Sequence, residues 1–131
     1  MTASRLIPWL LALLLCAGCG GRKKIDPQER QAVAEIQARG GRVEYDETKS
    51  VRTVIRVDFA GTNIDDEALE HVQRLTSLET LDLKGTQVTD KGLALLKGLK
   101  NLKALYVYRT RVTDAGVQDL KAALPELTVD R

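Results

Sequence analysis

Apolar residues recur along this chain at a fixed step of 24 positions. Val57, Leu81 and Leu105 fall one step apart, as do Phe59, Leu83 and Val107, and Ile64, Val88 and Val112. Thr62, Thr86 and Thr110 keep the same step, and so do Asp66, Asp90 and Asp114. Inside each unit the period changes. Residues 80–83 alternate polar and apolar, as a strand does. Gly85 and Thr86 then turn the chain, and Leu93, Leu96 and Leu99 follow at helical spacing. Leu69, Val72, Leu75 and Leu78 repeat this in the first unit, and Val117 and Leu120 in the third. Beyond Leu124-Pro125 the step slips: Leu127 arrives one residue late, and 127–129 reads as a closing edge strand. A repeat of this length predicts a solenoid, because one unit cannot bury its own apolar face and must lean on its neighbours.

Before the repeats lies a different pattern. Ala32, Val33 and Ile36 share one helical face within 28–39, and Gly40-Gly41 stops the helix. Residues 42–45 read as a short strand, with Lys49 and Ser50 in a turn. Residues 28–50 are therefore expected to cap the open end of an array spanning 51–131. Solenoids need atypical end units, since a terminal apolar face otherwise meets water.

The first 18 residues have the layout of a signal peptide. Arg5 gives a positive start, residues 6–15 are an apolar run interrupted by Pro8, and small residues follow. The run is too short to span a bilayer comfortably, which needs about 20 residues. Both cysteines of the chain, Cys16 and Cys19, lie here, so the rest has no disulfide or thiol chemistry. Leu14-Leu15-Cys16-Ala17-Gly18-Cys19 resembles a bacterial lipobox, with Cys16 standing where Leu is usual. That resemblance implies cleavage before Cys19 and lipidation of its sulfur. Several acyl chains on one cysteine anchor stably, whereas one alone binds marginally. The competing readings are ordinary cleavage after Ala17 or Gly18, releasing the domain, and an uncleaved membrane anchor. Residues 19–27 then form a lipidated N-terminus and tether, with Arg22, Lys23 and Lys24 near the head groups or simply solvated. The expected location is the cell membrane or outer membrane, with the domain outside the cytoplasm.

Composition narrows the chemistry. The chain has 131 residues, 29% charged and 4% aromatic, with a net charge of +2. Charges of both signs are mixed, and no basic stripe interleaved with aromatics points to nucleic acid. The Asp66, Asp90, Asp114 series sits at predicted helix starts, where a carboxylate satisfies free N–H groups and faces the positive end of the dipole. Thr89, Thr113 and Asp65, one place earlier, serve equally well as caps. His71, the single histidine, has no Cys, Ser-His-Asp spacing or metal-ligand pair around it. No metal, cofactor or enzymatic activity is expected.

At Leu78, Leu81, Leu83, Thr86 and Val88, and again at Leu102, Leu105, Val107, Thr110 and Val112, the chain resembles the leucine-rich-repeat family. The following T-D-x-G-L or close variant resembles a bacterial subtype with Thr where Asn is frequent. The resemblance covers roughly 53–129. It implies an α/β fold, a short solenoid with a parallel sheet on the concave face and helices on the convex face. It also implies that Thr62, Thr86 and Thr110 replace the stacked Asn ladder.

Strand neighbours alternate, so if Leu81 and Leu83 point in, Thr80, Asp82 and Lys84 point out. The equivalents are Arg56, Asp58 and Ala60 before, and Ala104, Tyr106 and Tyr108 after. The third unit departs from the others: it carries two of the chain's three tyrosines, and Arg109 replaces the turn glycine, with Arg111 close by. Tyr and Arg are enriched at binding hot spots. Arg56, Asp58, Thr80, Asp82, Lys84, Tyr106, Tyr108 and Arg109 are the candidate partner-binding residues. The expectation is a monomeric, membrane-anchored protein-interaction module of the bacterial envelope. The alternative is a structural envelope lipoprotein with no specific ligand on this face.

Overall fold

A computed structural model describes residues 24–131. The signal peptide, Cys19 and the first part of the tether lie outside the described residues. The elements run in chain order α1 (Pro27–Ala38), β1 (Arg42–Asp46), β2 (Thr53–Asp58), α2 (Asp66–Val72), β3 (Thr80–Asp82), α3 (Asp90–Leu95), β4 (Ala104–Tyr106), α4 (Asp114–Ala123) and β5 (Thr128–Asp130). The strands form one sheet in the order β1-β2-β3-β4-β5. The β1–β2 pair is antiparallel and the other three pairs are parallel. Each helix packs on the next, α1 on α2, α2 on α3 and α3 on α4.

The 24-residue step is visible in the register. Val57 pairs with Leu81 and Leu81 with Leu105, so equivalent apolar side chains stack across the sheet. Phe59, Leu83 and Val107 form the next buried row, and Ile64, Val88 and Val112 the one after. Leu69, Val72, Leu75, Leu78, Leu93, Leu96, Leu99 and Leu120 complete a continuous core. Burial of apolar surface is roughly proportional to area, so a row that stacks without a step loses none of it to water.

The slip near Pro125 has a geometric answer. The 6 residues of α3 are followed by a 3₁₀ turn of 3 residues, Leu96–Gly98. At about 1.5 and 2.0 Å per residue these span roughly 15 Å. The third unit instead runs as one α-helix of 10 residues, also about 15 Å long. The extra residue is absorbed by a change of helix type, and Leu124 and Leu127 remain buried.

The repeated aspartates do more than the sequence suggests. The N-caps are Asp65, Thr89 and Thr113, whose side chains accept from the amides of Glu67, Lys91 and Gly116. Each Asp of the series lies one place inside, and the carboxylates of Asp66 and Asp90 reach the next repeat. Asp66 accepts from the Thr89 amide at 2.7 Å and from its hydroxyl at 2.5 Å. Asp90 does the same to Thr113 at 2.8 and 2.5 Å. Asp114 pairs instead with Arg131. The Thr113 bonds hold the Asp90 carboxyl below the usual carboxylate range, with Arg131 adding a smaller pull. Its contribution is present above that usual range and is lost as pH falls through the lowered value.

Here the expected threonine ladder is corrected. The hydroxyls of Thr62, Thr86 and Thr110 donate to Phe59, Leu83 and Val107 carbonyls at 2.6, 2.7 and 2.6 Å, closing their own turns. The side chains that connect neighbouring units here are Gln87, whose Nε2 donates to Asn63 Oδ1 at 2.8 Å, and the Asp–Thr pairs that follow.

The cap is a working part of the core. Asp26 caps α1 by accepting from the Gln28 amide at 2.8 Å. Ala32, Val33 and Ile36 are buried against the first repeat. Glu29, 5% exposed, accepts from the Val54 amide at 3.0 Å. Burial pushes the Glu29 carboxyl above its ordinary range, while the Val54 bond pulls the other way. Stability from this site declines as pH rises through that raised value. The tether expected over 19–27 is pinned from Lys24 onward: the Lys24 carbonyl accepts from Arg52 at 3.0 Å, and Ile25 bridges to Arg52.

Two outcomes follow from this architecture. Removing residues 28–46 should abolish the cooperative thermal melt followed by circular dichroism; an unchanged melt refutes the role given to the cap. The second concerns Gly116, where an added Cβ collides with the Asp90 carboxylate. Gly to Ala inside a helix ordinarily stabilises by about 1 kcal/mol. Gly116→Ala should instead destabilise by about 1–3 kcal/mol in urea melts, as overpacking does. In an Asp90→Gly background, which removes the carboxylate and the Cβ 3.0 Å from the added methyl, it should regain the ordinary stabilising sign.

Candidate functional site

The outer face of the sheet is organised in rows across the strands. One row runs Glu44, Arg56, Thr80, Ala104, Thr128, and the next Arg42, Asp58, Asp82, Tyr106, Asp130. A third lies just past the strand ends. The Lys84 carbonyl accepts from Gly61 and the Tyr108 carbonyl from Gly85, both at 2.9 Å, which sets Ala60, Lys84 and Tyr108 side by side. Seven of the eight candidate residues therefore belong to three adjacent rows, and Arg109 follows the third at the turn position of Gly61 and Gly85.

The second row sets Asp58 directly beside Asp82. Like charges at opposed sheet positions repel. Arg42 answers Asp58 at 3.0 Å, and Lys84 lies 3.8 Å from Asp82. Each carboxylate also accepts a backbone amide two residues on, Ala60 at 2.8 Å and Lys84 at 3.0 Å. Asp82 is thus only 8% exposed. This corrects its expected place among outward, available groups: it faces outward but is covered and committed to Lys84. Thr80 and Asp58 are half-buried, and Arg56 is exposed.

The third repeat differs in chemistry and in backbone. Tyr106 stands where the other units have Asp, and the Lys84 ammonium lies 4.5 Å from its ring centre. Tyr108 is 51% exposed, and the Arg109 guanidinium sits 5.4 Å from its ring centre. Gly61 and Gly85 adopt φ of 72° and 69°, and Arg109 occupies the same turn position at φ 56°. A side chain in this left-handed region costs about 1–2 kcal/mol. Such outliers persist where the surroundings impose them, and they cluster at functional sites.

Among the described residues, no cluster of His, Cys, Asp and Glu has the geometry of a metal site. His71 is half-buried on α2, and no side-chain hydrogen bond reaches its imidazole. No helix of the described residues is long and apolar enough to cross a membrane.

Residues 74–97 match the family model described as Leucine Rich repeat. This supports a leucine-rich-repeat protein. The matched stretch contains β3, its glycine turn and α3, one full step of the array. No curated protein matches the chain. Leucine-rich repeats are protein-interaction repeats in general, and the sheet face described above is consistent with that use.

What sequence reasoning missed at this site is the burial of Asp82 and the pairing of each tyrosine with a cation. The first follows from Lys84, two residues on, which is a legible signal. The second depends on rotamers that no spacing rule supplies.

The backbone outlier gives a direct measurement. Arg109→Gly should be more stable than Arg109→Ala by about 1 kcal/mol, since both lose the ring contact and only Gly relieves the turn. Urea midpoints at equal m-values read the difference.

Proposed function

We propose that this chain is a membrane-anchored protein-interaction module of the bacterial cell envelope. Lipidated Cys19 holds the repeat domain at the membrane surface, outside the cytoplasm. The domain acts as a monomer and binds a protein partner through a concave sheet face, its helices lying on the convex side. Arg56, Asp58, Thr80, Lys84, Tyr106, Tyr108 and Arg109 form the contact surface, and Asp82 supports Lys84 from below. No catalytic step is involved; the mechanism is display of a rigid surface.

The observation that carries this reading is the departure of the third repeat. The first two units place Ala or Lys before a turn glycine on this face, and the third places Tyr106, Tyr108 and Arg109 together. An aromatic exposed beside an Arg is the composition of a hot spot. Retaining Arg at a left-handed position where Gly relaxes the turn is the signature of a residue kept for use rather than for folding.

Tyr106→Ala combined with Tyr108→Ala should leave the melt nearly unchanged and abolish capture of the partner by crosslinking in native envelopes. Cys19→Ser should abolish acyl labelling and release the protein from the membrane fraction. Capture that survives the double tyrosine substitution refutes the contact surface, and a Cys19→Ser protein that stays acylated refutes the anchor.

A further inference from the structure

The third repeat also carries a charge imbalance that the fold does not use. Most cations near the sheet have a carboxylate partner: Arg42 with Asp58, Lys84 with Asp82, Lys103 with Glu79, Arg131 with Asp114. Arg56, Arg109 and Arg111 have none among the described residues, and of these Arg109 and Arg111 lie together on one turn. They follow Tyr108 directly, both exposed, on the turn that closes β4. Arg109 is held over the Tyr108 ring, which fixes one guanidinium without neutralising it. Guanidinium donors in a fixed fork match carboxylates and phosphates in two-point contacts.

The same face restricts which anion can approach. Asp58 and Asp82 are answered by Arg42 and Lys84, but Asp130, paired in register with Tyr106, is exposed and has no ion pair among the described residues. A continuous polyanion, such as an anionic membrane surface or a nucleic acid, that covers the arginines and Tyr106 also meets Asp130. A short segment with a local acidic cluster does not, because it can place its charges on the turn and its apolar atoms on Tyr108. Tyr108 offers the apolar part of that contact, being one of the exposed large hydrophobic side chains.

We infer that the turn formed by Tyr108, Arg109 and Arg111 is the recognition point for an acidic segment of a partner protein, its carboxylates paired with the two guanidiniums and an apolar residue packed on Tyr108. This rests on the reading of the sheet face as a protein-binding surface and names the chemistry of what binds there. Partner charge steers encounter and sets specificity through complementarity of this kind.

The test uses the full chain, ¹⁵N-labelled in detergent solution, titrated with the peptide Glu-Glu-Leu-Glu-Glu and with Gln-Gln-Leu-Gln-Gln. The acidic peptide should shift the amide signals of residues 108–111, and the Gln peptide should bind about tenfold more weakly. Arg109→Gly with Arg111→Ser should lose about tenfold in affinity while the melt stays intact. Raising salt from 0.05 to about 0.5 M should weaken the complex, as screening requires. Equal binding of both peptides, or binding unaffected by the arginine substitutions, overturns the acidic-segment assignment. If the tyrosine substitutions still abolish crosslinking to a partner in that case, the protein-binding reading stands alone. Absence of shifts with the acidic peptide, or shifts of 108–111 with phosphatidylglycerol vesicles in its place, also overturns it.

Discussion

Each repeat lends a carboxylate to the next. Asp66 and Asp90 accept both the backbone and side-chain hydrogens of the following repeat's capping threonine. A helix start leaves several N–H groups without partners, and a capping side chain answers only one or two. Fixing the cap itself from the preceding repeat sets the position of the helix behind it. That helix in turn sets where its leucines meet the core. The glycines at the third helical position belong to the same device, since at Gly92 an added Cβ collides with the Asp66 carboxylate. The first repeat has Ala68 there, and no earlier Asp of the series approaches it.

Much of this was legible in the chain. Equivalent apolar residues 24 apart pair in register, so the sheet order and the core rows were readable from spacing alone. The cap helix and its stop were readable from Ala32, Val33, Ile36 and the glycine pair, within one residue at each end. The inter-repeat bonds were not. A repeated Asp at a helix start is explained locally by the dipole, and that explanation hides a contact to residues 23 positions on. Thr62, Thr86 and Thr110 misled in the opposite direction, because family resemblance suggested a ladder while a hydroxyl three residues from a carbonyl closes a turn. The antiparallel sense of β1 follows from its short link to β2, residues 47–52, which leaves no room for a parallel crossover.

The candidate site shows where consistency between levels gives way. In the first two repeats each local choice agrees with the fold: glycine at the turn, a small or charged residue before it, a carboxylate bonding the amide two residues on. In the third, Tyr106 removes that carboxylate, Arg109 strains the turn, and two guanidiniums are left without an ion pair. Departures of this kind concentrate where a surface serves something other than its own stability.

The pairing of Asp114 with Arg131 has a consequence for the behaviour of many molecules together. A repeat that offers a carboxylate to the next repeat's cap is a head-to-tail connector. Left open, the Asp114 carboxylate would be free to take a donor from another molecule, and heterologous contacts that do not close grow into filaments. Arg131 occupies that carboxylate within its own chain. At the other extreme α1 covers α2, joined by Arg39 to Glu67 at 3.4 Å. Both contacts are thereby made within one chain, and neither surface is left open to a second molecule among the described residues.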